Sequence, residues 1–238
     1  MSSVCFISDL HLDSSRPAVT RAFQDFLNAQ QCNERLYILG DLFEAWPGDD
    51  DESPLTELVC QALRSLSDAG CKVFIMPGNR DFLLGERFCQ AAGTSLLTDP
   101  TLISLFGVPT LLMHGDSLCT ADKTYQRFRQ LAQDPHYQAE LLAKPLTERR
   151  AIATDLRAKS REANSLKSED IMDVTPQEVD KAMRSYAASQ LIHGHTHRPA
   201  SHRVAQGIRW VLGAWDQQAW YLEASKRQIG LKLVNIKQ

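Results

Sequence analysis

Five short groups of metal-binding side chains punctuate the chain: Asp9-Leu10-His11, Gly40-Asp41, Gly78-Asn79-Arg80-Asp81, His114-Gly115-Asp116 and Gly194-His195-Thr196-His197. Carboxylate, amide and imidazole donors suit a borderline or hard first-row divalent ion, and no thiolate accompanies them. Singly these groups carry little information. D-x-H arises by chance in roughly a third of chains this long, and G-D and G-N are ordinary turn dipeptides. G-H-x-H is rarer, at about one random chain in a hundred. Five such groups in order, each behind an apolar run, form a pattern. A side chain just past a strand lands in the loops at the sheet's carboxyl end, where α/β folds collect ligands from distant positions.

The positioning elements can be read from periodicity. Val4-Cys5-Phe6-Ile7, Leu36-Tyr37-Ile38-Leu39, Lys72–Met76, Thr110–Met113 and Gln190-Leu191-Ile192 are expected strands. Residues 18–31 carry Val19, Ala22, Phe23, Phe26 and Leu27 at helical spacing. A second helix is expected over 54–69, opened by Pro54 with Ser53 as N-cap, and a third over 81–92, stopped at Gly93. Alternating β and α units with continuously apolar strands predict a largely parallel sheet buried on both faces. From 121 to 188 there is no strand pattern, and helical stretches break at Asp134-Pro135, Lys144-Pro145 and Thr175-Pro176. Short strands resume over 200–236, turning near Gln206-Gly207 and Ser225-Lys226. The expected organisation is a core of residues 1–120 and 189–238 interrupted by a helical insertion at 121–188.

Composition narrows the class. A chain of 238 residues, 43% hydrophobic and 23% charged, can build one sizeable core and is neither a rod nor disordered. The balance of 26 Lys+Arg against 29 Asp+Glu, without an aromatic-basic groove pattern, argues against a nucleic-acid partner or a nuclease. Six cysteines without a C-x-x-C are expected as buried thiols in a reduced, cytoplasmic protein. The segment MSSVCFISDLHL lacks a basic opening, and Asp9 and His11 interrupt its apolar run, so no signal peptide is expected. No apolar stretch approaches the ~18 residues of a membrane span.

The five groups resemble the calcineurin-like metallophosphoesterases, whose pattern runs D-x-H, G-D, G-N-H-D/E, H, G-H-x-H. The expected fold is accordingly an α/β two-sheet sandwich with outer helices. The resemblance implies a binuclear centre: Asp9, His11, Asp41 and His197 for one ion, and Asp41, Asn79, His114 and His195 for the other, with Asp41 bridging. Two such ions, manganese by preference, bind a phosphate ester and activate water near neutral pH. This chain departs from the pattern at Arg80, where many members carry histidine. An arginine does not give up its proton to a leaving alkoxide, yet it can hold phosphoryl oxygens through its fork. That favours cleavage of one phosphate from another over ester hydrolysis.

The longer runs FISDLHLDSSRP, ILGDLFEAWPGDD, MPGNRDFLLG, LMHGDSLCT and LIHGHTHRP resemble one branch, the bacterial UDP-2,3-diacylglucosamine pyrophosphatases of lipid A synthesis. The likeness covers nearly the whole chain. It implies release of UMP and 2,3-diacylglucosamine 1-phosphate by attack of water on the phosphorus nearer uridine, under a helical lid. Substrate contacts carried over by position are Asn79, Arg80, Asp122, Ser160, Asn164, Lys167 and His195.

The insertion adds its own signals. Ser160, Asn164 and Lys167 fall at i, i+4 and i+7, one face of a helix suited to a sugar-diphosphate. Leu141, Leu142, Leu146, Ile152, Leu156, Ile171 and Met172, with Phe82, Leu83 and Leu84, are expected to line an acyl chamber. Residues 144–167 hold seven basic side chains (Lys144, Arg149, Arg150, Arg157, Lys159, Arg161, Lys167) against three acids, an excess suited to peripheral contact with an anionic inner-membrane leaflet. Asp49-Asp50-Asp51-Glu52 reads as a solvated loop, and His136, His193 and His202 as ordinary polar residues. Asp81 and Asp116 fit either ligand-orienting partners or turn acids, and Trp46 either packing or a site wall. Cys119 has no base beside it in sequence. A monomer is expected. The rivals are a phosphodiesterase, polyphosphate hydrolase or protein phosphatase on the same metal core, and a non-catalytic scaffold.

Overall fold

The computed structural model describes residues 3–30, 34–165 and 171–237; the side chains of Asn164 and Ser165 lie outside that description. Strands β1 (Ser3–Ile7), β2 (Arg35–Leu39), β3 (Lys72–Met76) and β4 (Ser95–Leu96) run parallel, in that order. A second sheet places β5 (Thr101–Leu105), β6 (Val108–Met113), β7 (Gln190–His193), β8 (Ala200–Val204) and β9 (Gly207–Val211) in the order β5-β6-β7-β9-β8. The first sheet is completed beside β1 by the antiparallel hairpin of β10 (Gln218–Ser225) and β11 (Ile229–Asn235).

Period-two geometry explains why the central strands are apolar throughout. Val4 and Phe6 of β1, with Tyr37 and Leu39 of β2, meet Leu112 and Ile192 between the sheets. Their neighbours Cys5, Ile7, Leu36 and Ile38 point the other way, onto helices α1 (Pro17–Ala29), α2 (Pro54–Asp68) and α3 (Glu86–Ala92). Both faces of each strand are therefore buried. On the far side, Val179 and Met183 of helix α7 (Pro176–Ser185) close over Leu111, Met113 and Leu191. The layers are helix, sheet, sheet, helix. The first-sheet helices place β1, β2 and β3 parallel, so their carboxyl ends, and those of β6 and β7, open onto one edge.

Two expectations change. The sheets are mixed, because β5, β8, β10 and β11 are antiparallel edge or hairpin strands, whose half-exposed faces carry no continuous apolar run. The helix expected over 81–92 begins only at Glu86, because the Asp81 carboxylate accepts backbone N–H bonds from its own loop and from the loop after β2. Its stop at Gly93, with φ 68°, is as expected. Ser53 caps α2, its Oγ accepting from the Thr56 N–H at 3.3 Å. Between β6 and α7 lie α4 (Lys123–Ala132), α5 (Pro135–Leu142) and α6 (Leu146–Ser165), with no strand among the described residues there. No helix among the described residues is long and apolar enough to cross a membrane.

Candidate metal centre and adjoining cavities

Each candidate ligand sits one to four residues past a strand. Asp9 and His11 follow β1, Asp41 follows β2, Asn79 follows β3, His114 follows β6, and His195 and His197 follow β7. Five of them hold left-handed backbone conformations: Asp9 at φ 55°, His11 at 49°, Asp41 at 54°, His195 at 66° and His197 at 56°. Such residues cost on the order of 1 kcal/mol or more each and persist where the surroundings over-determine them. Here the bend turns the chain back at the strand end and throws each side chain over the edge of the sheets. Asp9 N–H donates to the Gly40 carbonyl and His11 N–H to the Asp41 carbonyl, locking the first two loops together. A Cβ at Gly78 would overlap Asp41 Oδ1, and one at Gly194 would overlap Asp9 Oδ2. Glycine precedes Asn79 and His195 because the ligand from the next strand occupies that space.

The donor atoms converge. His11 Nε2 lies 3.2 Å from His197 Nε2 and 3.9 Å from Asp41 Oδ2. His197 Nε2 is 3.3 Å from Asp9 Oδ1. On the other side His114 Nε2 is 3.7 Å from Asp41 Oδ1, and Asn79 Oδ1 lies 2.9 Å from both His114 Nε2 and His195 Nδ1. Asp9, His11 and His197 form one tight set; Asp9, Asp41 and His114 form another, so Asp9 reaches toward both.

The local chemistry calls for a cation. His114 Nδ1 faces the Leu39 carbonyl at 3.0 Å and its Nε2 faces the Asn79 carbonyl oxygen at 2.9 Å, so the ring sits between two acceptors that either a second ring proton or a cation beside Nε2 must satisfy. Asp9 Oδ1 is buried, with His197 Nε2 at 3.3 Å but no hydrogen-bond partner among the described residues. Burial opposes charge on His114, yet Asp41, Asp116 and Asp9 outweigh it and hold the imidazole up at about 9. Burial pulls His195 down to about 4, helped by the charge on His114. Burial would likewise raise Asp9, but His197, His114 and His11 hold its carboxyl well below the usual range. These residues fit a divalent cation, since buried carboxylates and facing acceptors require positive charge between them.

Two acids bind the loops. Asp81 accepts from the N–H groups of Gly78 at 2.6 Å, Leu42 at 2.7 Å, Asp41 at 3.2 Å and Phe43 at 3.3 Å. Asp116 accepts from Tyr125 Oη at 2.6 Å and Arg129 Nε at 2.9 Å, tying α4 to the centre. Arg80 places its Nε 3.7 Å from Asp41 Oδ2 and its Nη1 3.3 Å from Glu44 Oε1. Cys119 is buried, and burial pushes its thiol up to about 12, which removes it as a nucleophile.

Two cavities open above these residues. A polar one of about 200 Å³ is lined by Asp41, Asn79, Arg80, Asp122, Ser160, His195 and His197. An apolar one of about 270 Å³ lies between the 79–83 loop, α4 and α6. Asn79, Arg80, Tyr125 and Ser160 line both. Phe82, Leu83, Leu141, Ile152 and Leu156 are walls of the apolar cavity, as expected. Others in that expectation are not. Leu84 faces the core under the first sheet, Leu142 and Ile171 are exposed and, like Leu146, off the lining, and Met172 lines the polar cavity. Trp46 proves to be both packing and wall: it stacks on Phe43 at 4.5 Å between ring centres and borders the apolar cavity. Asp122 caps α4, accepting from the Tyr125 N–H at 3.0 Å. The Asn164 side chain and Lys167 lie outside the described residues.

The acidic run is solvated only in part, with Asp50 and Glu52 exposed but its acids engaged. Asp49 accepts from Trp46 Nε1 and from the Gly85 and Phe88 N–H groups, Asp50 takes a two-pronged contact from Arg149, and Asp51 pairs with Arg150. Much of the basic excess of 144–167 is thus answered by this loop, which seats α6. Lys144 and Lys159 pair within α6 and its approach, with Glu148 and Asp155. Sequence reasoning missed Glu44, Tyr125, Arg157 and Phe128, the last a wall of the apolar cavity. Arg157 is buried, touches Glu44 at 3.2 Å, and its Nη2 has no hydrogen-bond partner among the described residues. His193 is fully buried beside Arg209, and burial followed by that charge pulls it down to about 3.

Comparison with known proteins agrees with this geometry. Residues 2–199 match the family model described as calcineurin-like phosphoesterase. A protein of Cellvibrio japonicus named UDP-2,3-diacylglucosamine hydrolase is 53% identical over 95% of this chain and 97% of its own. One of Marinobacter nauticus with the same name is 54% identical over 94% of this chain and 93% of its own. The solved structure of a novel archaeal phosphodiesterase shares the fold at TM-score 0.51 and 11% identity, covering 98% of this chain and 99% of the other. The chain belongs to the calcineurin-like phosphoesterase family of hydrolases, in the branch whose curated members are named UDP-2,3-diacylglucosamine hydrolase.

Proposed function

We propose that the protein hydrolyses the pyrophosphate of UDP-2,3-diacylglucosamine, giving UMP and 2,3-diacylglucosamine 1-phosphate for lipid A synthesis. The observation that carries this reading is the joining of a polar cavity above the metal-ligand cluster to an apolar cavity, with Arg80 at the seam. A small soluble phosphoester has no use for the second compartment, whereas an amphiphile with a diphosphate head and acyl chains uses both. The names of the relatives point the same way.

Two Mn²⁺ ions, one held by Asp9, His11, Asp41 and His197 and one by Asp41, Asn79, His114 and His195, would supply Lewis acidity and water of lowered pKa. Asp41 stands between the two sets and is fixed there by the Arg80 N–H, which donates to its Oδ1 at 2.8 Å. The Arg80 guanidinium, braced by Asp41 and Glu44, presents its fork to the phosphoryl oxygens as charge develops. It supplies no proton, and a leaving phosphate needs little acid help. Arg157 Nη2 is a further donor at the cavity wall. Water attacks the phosphorus nearer uridine, while Asp122, Ser160, Asn164 and Lys167 hold the sugar-diphosphate. Residues 121–188 act as the insertion, with α4 to α6 as the lid and α7 also closing the second sheet. The enzyme works as a cytoplasmic monomer in peripheral contact with the inner membrane, where exposed Leu131 and Leu142 and the exposed basic side chains Lys123, Arg127 and Arg161 meet the bilayer.

Metal-stripped protein, offered the lipid nucleotide and bis(p-nitrophenyl) phosphate side by side with Mn²⁺ restored, tests the reading. UMP release with feeble cleavage of the small ester is expected. Good cleavage of the ester and none of the lipid would retain the metal centre and discard the substrate. Flotation with anionic liposomes at low and high salt tests the membrane contact, and salt-insensitive flotation would refute its electrostatic part.

A further inference from the structure

Glu44 lies outside the five ligand groups, yet three functional elements meet on its carboxylate. Oε1 takes both arginines, Arg80 Nη1 at 3.3 Å and Arg157 Nε at 3.2 Å. Oε2 lies 3.2 Å from His11 Nδ1, close but off the line of a hydrogen bond, so that this buried nitrogen has no hydrogen-bond partner among the described residues. The backbone holds Glu44 in place, because its N–H donates to the Leu12 carbonyl while the Leu12 N–H donates to that of Leu42. Arg157 belongs to α6, and its neighbours on that helix, Arg149 and Arg150, are clamped to Asp50 and Asp51. The helix that walls the apolar cavity is therefore joined to a metal-ligand candidate through one carboxylate.

We propose that Glu44 is a positioning residue through which the seating of α6 sets the orientation of His11. A small turn of the ring closes this contact into a hydrogen bond; a carboxylate accepting from Nδ1–H fixes that tautomer and leaves the Nε2 lone pair directed at the ion site. The two guanidinium groups on Oε1 fix the plane of the carboxylate, so Oε2 cannot swing away from the ring. Loss of Arg157 loosens that plane, and loss of Glu44 frees the imidazole altogether. An amphiphile filling the apolar cavity would bear on the wall that carries Arg157 and, through it, on Glu44. The last statement rests on the proposed substrate; the first does not.

The test is a substrate-free titration of the metal-stripped full chain with Mn²⁺ by calorimetry, on wild type, Glu44→Gln, Arg157→Gln and the double variant. Glu44→Gln should weaken binding at one site about 10- to 100-fold. Arg157→Gln should weaken it less, and should add nothing in the Glu44→Gln background. The ¹⁵N shifts of His11 should report the Nδ1–H tautomer in wild type and a mixture in Glu44→Gln, and Glu44→Asp should restore part of the affinity. Wild-type affinity in folded Glu44→Gln would overturn the proposal, as would an Arg157→Gln effect that persists undiminished in the double variant. Should Glu44→Gln fail to fold, the same tautomer measurement on Arg157→Gln decides: an unchanged His11 spectrum refutes the coupling. Failure of the lipid substrate in turnover assays leaves these readouts unaffected.

Discussion

Asp81→Ala isolates the scaffolding of the metal centre from its chemistry. The side chain is fully buried and accepts four backbone N–H groups, at 2.6, 2.7, 3.2 and 3.3 Å, from Gly78, Leu42, Asp41 and Phe43. Truncation to alanine strands all four donors. Each buried donor left unpaired costs about 1–3 kcal/mol, so a naive sum spans roughly 4–12 kcal/mol. Three effects reduce it. The two longer bonds are weaker, a water can occupy the vacated space, and the desolvation penalty of the carboxylate is recovered. A net loss of about 3–5 kcal/mol is expected, comparable with breaking a buried ionic contact. For a chain of this size that lowers Tm by roughly 6–20 °C. Asp81→Asn keeps one acceptor oxygen but turns an NH₂ toward backbone donors, and should lose about half as much. Denaturant unfolding of metal-free protein measures this without contributions from ion binding. A loss below about 1 kcal/mol for Asp81→Ala would show that these loops hold their shape without the acid, and would refute the argument.

Three other expectations are open to direct test. On the proposed binuclear reading, Asp41→Ala should remove both ions by elemental analysis and abolish turnover, whereas Arg80→Lys should keep the metals and lose about 10²–10³ in kcat through loss of the fork. Cys119, buried with its thiol pushed up to about 12, should resist iodoacetamide at pH 8 in folded protein, as read by peptide mass spectrometry. His193, held down at about 3 by burial and Arg209, binds its proton only on unfolding between that value and its ordinary 6.5. Its contribution to stability is therefore present above pH 6.5 and falls as pH drops through that window, by about 2 kcal/mol between pH 6.5 and 5. His193→Gln should show a correspondingly shallower loss of denaturant midpoint over that range.

The cluster of candidate ligands was legible in the sequence because strand, turn and polar residue follow one another along the chain; their division between two ions came from the family resemblance. An apolar run buried on both faces must be a central strand, and the polar residue after it has nowhere to go except the sheet edge. For the same reason Ser53 and Gly93, as cap and stop, could be read from local backbone requirements alone. The sequence alone also singled out Arg80, since one residue type at one position changes which proton transfers are available.

What only the tertiary structure decided are matters of long-range pairing. The shortening of the helix expected over 81–92 depends on backbone donors some forty residues upstream. The acidic run at 49–52 looked solvated because its partners, Arg149 and Arg150, lie about a hundred residues away on α6. Half of the expected acyl-lining residues were misplaced because helical periodicity says which residues share a face, not what that face meets. Glu44 carries no local signal at all. Its role exists only where a loop after β2, a ligand after β1 and a helix of the insertion meet, and charge complementarity across such distances has no imprint in spacing.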